Sequence, residues 1–108
     1  MISFNDAVSV VRGKYPKYLI RTGYEFDGSY YFSVSPDKTF VKGDLSTLTA
    51  IVDGTSSDIE TRSSGEMAYD FIMKMDADTY KKYEEACKNI KPVDLTAEQF
   101  EELKQYLW

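Results

Sequence analysis

Apolar residues recur along this chain with two periods, and the changes of period divide it into elements. Phe4, Ala7, Val8 and Val11 fall at helical spacing behind Ser3 and Asp6, an N-cap with an acid three residues on. Gly13 and Pro16 close that run, which predicts a helix over residues 4–12. Aromatic and β-branched residues then dominate from Tyr18 to Phe26 and from Ser29 to Val34, with Asp27-Gly28 between them as a hairpin signal. A two-residue loop there pairs Tyr24 with Tyr31 and sends Phe32 and Val34 to the face opposite Tyr24, splitting the apolar set. A three-residue loop, Phe26-Asp27-Gly28 with Gly28 in a left-handed bulge, pairs Tyr24 with Tyr30, Thr22 with Phe32 and Ile20 with Val34. Tyr18, Ile20, Tyr24, Tyr30, Phe32 and Val34 then share one face, so this register is expected, with Gly23 as the competing place for the irregularity.

Ser35-Pro36-Asp37-Lys38 reads as a turn, and Leu48 to Val52 as a third strand ending in a second Asp-Gly, Asp53-Gly54. A two-residue turn there pairs Leu48 with Ile59. The return, Thr55 to Glu60, is polar apart from Ile59 and reads as a short edge strand or a loop. Helical spacing resumes after Ser63 and Glu66, another capping box, with Met67, Ala68, Phe71, Ile72 and Met75 on one side. Asp76 opens a second stretch carrying Tyr80, Tyr83, Cys87 and Ile90, either a separate helix or the continuation of a bent one. Thr96 and Gln99 cap a last helix with Phe100, Leu103 and Leu107 as its stripe. The expected fold is α+β: an N-terminal helix, a three- to four-stranded antiparallel meander, and two to three C-terminal helices packed on one face. Residues 1–108 form one domain, with helix and sheet over 4–60, a helical tail over 63–108, and Lys91 to Leu95 as the only linker-like stretch.

Charge adds an asymmetry to this picture. The 108 residues carry 13 basic and 18 acidic side chains, a net charge of -5. Residues 1–42 have six basic against four acidic, whereas residues 43–108 have seven against fourteen. Nucleic acid is therefore a poor partner, since affinity for phosphate backbones comes from clustered Lys and Arg. Arg12, Lys14, Lys17 and Arg21 gather beside Tyr15 and Tyr18 but read as a solvated face. The N-terminus lacks a basic segment followed by an apolar run, and no stretch approaches the roughly 20 apolar residues of a membrane span, so a cytoplasmic protein without a membrane partner is expected. The single cysteine, Cys87, permits no intrachain disulfide and reads as a packed, inert thiol.

Chemistry is limited by what is missing. The chain has no histidine, the commonest general base and metal ligand, and no cofactor or metal is expected. Asp53-Gly54-Thr55-Ser56-Ser57-Asp58 lacks the alternating acids and terminal Glu of a calcium loop and reads as a turn. Ser56, Ser57, Ser63 and Ser64 sit in no G-x-S-x-G or S-x-x-K frame. Two features suit a partner-binding surface instead. Tyr31 is expected opposite the core face, where a second packing layer is the plainer reading and an exposed tyrosine would suit an interface. The helical tail carries Asp76, Asp78, Glu84, Glu85, Glu101 and Glu102, with Trp108 at its end. Helix capping and solvated helix faces are the plainer reading of those acids.

Ala7, Val11 and Tyr15-Pro16, then Gly23-Tyr24-Glu25-Phe26-Asp27-Gly28-Ser29-Tyr30-Tyr31-Phe32, then Val52-Asp53-Gly54 together resemble small proteins carried by phages and prophages of low-GC bacteria. The layout is also similar to the helix-then-hairpin start of PepSY-like and immunity-type domains. The likeness covers residues 4–60 and implies no catalytic residues. The chain departs from it in the polar return after Asp53-Gly54 and in the longer helical tail. The resulting expectation is a non-enzymatic module that binds another protein or itself. An acidic inhibitor or immunity protein occupying a basic site is the first alternative, and a carboxylate or Ser-Lys hydrolase the second.

Overall fold

The computed structural model describes residues 1–36 and 47–107. Helix α1 (Phe4–Lys14) is followed by strands β1 (Leu19–Phe26), β2 (Ser29–Ser35), β3 (Leu48–Asp53) and β4 (Ile59–Ser63). A short α2 (Ser64–Glu66) runs directly into a π-helical turn over Met67–Ile72, and α3 (Ala77–Lys88), a two-residue β5 (Lys91–Pro92) and α4 (Ala97–Leu107) complete the chain. The sheet is antiparallel with strand order β4-β3-β2-β1-β5. The α+β architecture is as expected, with five strands in place of three or four.

The local signals act as their chemistry requires. The Ser3 hydroxyl accepts from the Asp6 amide at 3.0 Å while the Asp6 carboxylate accepts from the Ser3 amide at 3.3 Å. Ser63 with Glu66, and Thr96 with Gln99, close the same reciprocal pair. Asp76 caps α3 by accepting from the Thr79 amide at 2.7 Å. That cap separates α3 from the π-helical turn, so the two stretches are not one bent helix.

The hairpin register differs from the expected one. Asp27 (φ 50°) and Gly28 (φ 79°) form a two-residue loop, so Phe26 faces Ser29 and Tyr24 faces Tyr31. The irregularity lies between Ile20 and Thr22, at Arg21, and at neither Gly28 nor Gly23. One extra residue there reverses the alternation and returns Ile20 to the face of Phe32 and Val34. The apolar set is split because the sheet has two covered faces. Beneath α1, Ala7 and Val11 pack with Ile20, Tyr30, Phe32, Val34, Ala50 and Val52. On the other face Phe26, Tyr31 and Met67 form a second core, with Tyr24, Ile51, Phe71, Met75, Tyr83 and Ala86 packed against it.

Three further expectations change. The return from β3 uses a longer loop closed by the Asp53 amide on the Asp58 carbonyl at 2.9 Å, so Ile59 pairs with Val52, and Leu48 with Ser63. Lys91 to Leu95 is no linker: Lys91 and Pro92 pair with Gly23 and Thr22, and Leu95 is buried. Tyr80 points outward from α3, while Tyr83, Ala86 and Cys87 are half-buried. The Ser35-Pro36-Asp37-Lys38 turn and Trp108 fall wholly or partly outside the described residues.

Candidate binding cleft at the open edge of the first strand

β1 is covered on one side by β2 along its whole length, but on the other side β5 pairs only with Thr22 and Gly23. In a two-residue hairpin the residues flanking the loop form the hydrogen-bonded pair, so bonded pairs fall at Phe26 and Tyr24 and the backbone groups of Glu25 point outward. Pro92 has no N–H to offer the edge, a position where proline is tolerated. From Tyr24 to Phe26, β1 therefore presents a short unpaired edge.

A cleft of about 650 Å³ opens along that edge. Tyr24, Glu25 and Phe26 supply its floor; Thr79 and Lys82 of α3, with Asn89 just after it, line one wall; Phe4, Tyr30 and Lys91 line the other. The aromatic part is held rigidly. Tyr24 stacks on Tyr31 with centroids 5.3 Å apart and bonds the Tyr83 hydroxyl at 3.0 Å. Tyr30 donates to the Ile2 carbonyl at 2.7 Å, fixing the start of the chain beside Phe4. Burial raises the Tyr24 hydroxyl, and behind it pushes the Tyr83 hydroxyl up to about 12 and raises the Cys87 thiol, so these three groups carry no charge near neutral pH. The mouth is charged in both senses, with exposed Glu25, Asp27, Lys82 and Lys91, and Lys91 Nζ lies 5.3 Å from the Phe4 ring centre.

The residues singled out from the sequence do not assemble into one site. Tyr31 is only 6% exposed, beneath the helical layer, and is unavailable as a partner contact. Asp76 is engaged as the α3 cap, and its bonds to the Thr79 amide hold its carboxyl below the usual range. Asp78, Glu84 and Glu85 lie exposed on α3, with Glu85 paired to Lys88 at 3.2 Å; Glu101 and Glu102 lie exposed on α4, with Glu101 paired to Lys104 at 3.5 Å. The basic cluster also disperses: Arg12 is bound to Asp94, Arg21 is buried in the bulge, and Lys14 lies 5.7 Å from the Tyr15 ring centre. Sequence reasoning missed Phe4, Glu25, Lys82, Asn89 and Lys91 as neighbours, since they meet only where α1, α3 and β5 all pack about the end of the β1–β2 hairpin. The available signal was a lone Pro next to a positively charged residue between two helices, which suits a short edge strand as well as a linker.

Among the described residues no group of three or more His, Cys, Asp or Glu side chains is placed to hold a metal ion, and no helix is long and apolar enough to cross a membrane. No family model, curated protein or solved structure matches the chain.

Proposed function

We propose that this chain is a non-enzymatic binding module, of the kind phages and prophages carry, that takes an extended segment of a partner protein along the open edge of β1. The observation that carries this reading is the cleft of about 650 Å³ whose floor is an unpaired strand edge and whose wall is α3. A segment laid there continues the line of β5, bonds the outward backbone groups of Glu25, and sets alternate side chains against the aromatic lining or the charged mouth. Backbone pairing supplies affinity, while the two lysines and two acids at the mouth select the charges flanking the segment.

The test uses the tagged protein as bait in lysate of its own source cells, beside a Glu25→Lys/Lys82→Glu variant that reverses the mouth. A stoichiometric partner lost from the variant, and competed by a peptide of that partner, supports the reading. A partner retained equally by both proteins overturns it.

A second reading, an acidic inhibitor or immunity protein that occupies a basic site, is favoured by the exposed acids Asp78, Glu84 and Glu102. The pairing of Glu85 and Glu101 with lysines reduces the field available to it. Complex formation that falls steeply with added salt and survives reversal of the cleft mouth would select this alternative.

A further inference from the structure

The opposite edge of the sheet has its own pattern. The bond between the Asp53 amide and the Asp58 carbonyl fixes the alternation of the β3–β4 ladder, so Glu60 and Arg62 turn their backbone groups toward β3. Ile59, Thr61 and Ser63 turn theirs outward, where among the described residues the sheet ends. The Ser63 amide is taken by Glu66, which stops the free edge at that residue. On the helical face Glu60 and Arg62 flank Thr61 symmetrically, joined at 2.8 Å, with side chains 59% and 26% exposed. On the α1 face the Thr61 hydroxyl bonds Tyr15 at 2.6 Å.

We propose that β4 is a self-pairing edge: two copies of the chain join antiparallel about a two-fold axis at Thr61, making one ten-stranded sheet. Outward backbone groups meet outward groups only in registers centred on a residue of the strand. Centring on Glu60 places two carboxylates opposite each other, and centring on Arg62 places two guanidiniums opposite each other. Centring on Thr61 sets each Glu60 against the other copy's Arg62, so both cross-strand pairs are attractive. The ladder then holds reciprocal Thr61–Thr61 bonds, plus Ile59 amides donating to Ser63 carbonyls. The same charges repel strands that lack the complementary spacing, so the edge excludes indiscriminate pairing while accepting its own copy.

Sedimentation equilibrium on the full chain, from about 1 µM to about 1 mM, spans the affinities of a small interface. The expected mass rises toward twice the 12.4 kDa of one chain. Glu60→Arg places like charges opposite each other twice and weakens association at least about tenfold, whereas Glu60→Arg/Arg62→Glu restores it. Amide exchange gives a local readout: the Thr61 N–H is unprotected when dilute and becomes protected as the dimer forms. A chain that stays monomeric throughout, or a dimer indifferent to Glu60→Arg while circular dichroism shows every variant folded, overturns the proposal.

Discussion

Replacing Tyr31 by alanine separates a surface tyrosine from a core one. Its ring stacks on Tyr24 at 5.3 Å with an interplanar angle of 6°, and lies 5.6 Å from Phe71 and 6.0 Å from Phe26. Those rings are held from opposite sides, Tyr24 and Phe26 by β1 and Phe71 by the π-helical turn. They cannot collapse together into the space left, so a cavity persists. Truncating a buried aromatic costs about 3–5 kcal/mol, through lost burial and the cavity combined. With a urea slope of about 1.5–2 kcal/mol/M, the unfolding midpoint falls by about 2 M. Tyr31→Phe keeps the ring contacts and shifts the midpoint far less. Urea unfolding followed by far-ultraviolet circular dichroism measures both. A loss below about 1 kcal/mol for Tyr31→Ala would place Tyr31 at the surface and refute the second core, because surface substitutions stay within about 0.5 kcal/mol.

The Asp94 carboxylate accepts from the two terminal guanidinium nitrogens of Arg12 and from the Ile20 amide, the latter at 2.9 Å, so Asp94→Ala should cost about 2–3 kcal/mol in urea unfolding. Asp94→Asn, which keeps an acceptor for Ile20, should cost about half of that. A Cβ on Gly23 would lie 2.6 Å from the fully buried Phe32 ring, so Gly23→Ala should lower stability by about 1–3 kcal/mol, and a neutral result would mean that the ring moves freely. Burial raises Tyr31 and Tyr83 to about 12, above the value near 10 of the unfolded chain. The folded state then binds more protons between those values, so the stability is intact below pH about 10 and is lost as pH rises toward about 12. Absorbance at 295 nm should show these tyrosines ionising only with unfolding, and their titration near pH 10 in the folded protein would contradict the buried cluster.

Helices and turns were legible in this sequence because their signals are local. Ser3 with Asp6, Ser63 with Glu66 and Thr96 with Gln99 each announce a helix start within four residues, and Asp27-Gly28 announces a hairpin within two. The register was not legible, since it depends on whether one or both faces of the sheet are covered, which is a property of the whole chain. Taking one covered face requires an irregularity within the hairpin, at Gly28 in the turn or at Gly23. With two, Tyr24 and Tyr31 belong beneath the π-helical turn and α3, and the bulge moves to Arg21. Tyr31, opposite the expected core face, lies in a second packing layer, which was its plainer reading, and not at a partner surface. The cleft was hidden for a related reason: its floor and walls draw on residues 4, 25, 82, 89 and 91, and no local pattern connects them.

With both faces of the sheet covered, the backbone groups still open to a partner lie at its two edges, and these differ in chemistry. The β1 edge is short, aromatic and walled by a helix, which suits a foreign segment. The β4 edge is flanked by a self-complementary charge pair, which suits a second copy. Together the two proposals describe a bivalent protein. Strands lie about 4.8 Å apart, so pairing through β4 places the two clefts roughly 40 Å from each other at the ends of one sheet. On a surface densely coated with the partner segment, the dimer should dissociate at least about tenfold more slowly than a single site allows. Glu60→Arg should remove that slow phase while leaving the affinity for free segment in solution unchanged, because Glu60 lies three strands from the cleft. Equal loss of both affinities would mean that the edges are coupled through the sheet, and unchanged dissociation from the surface would mean that the clefts act singly.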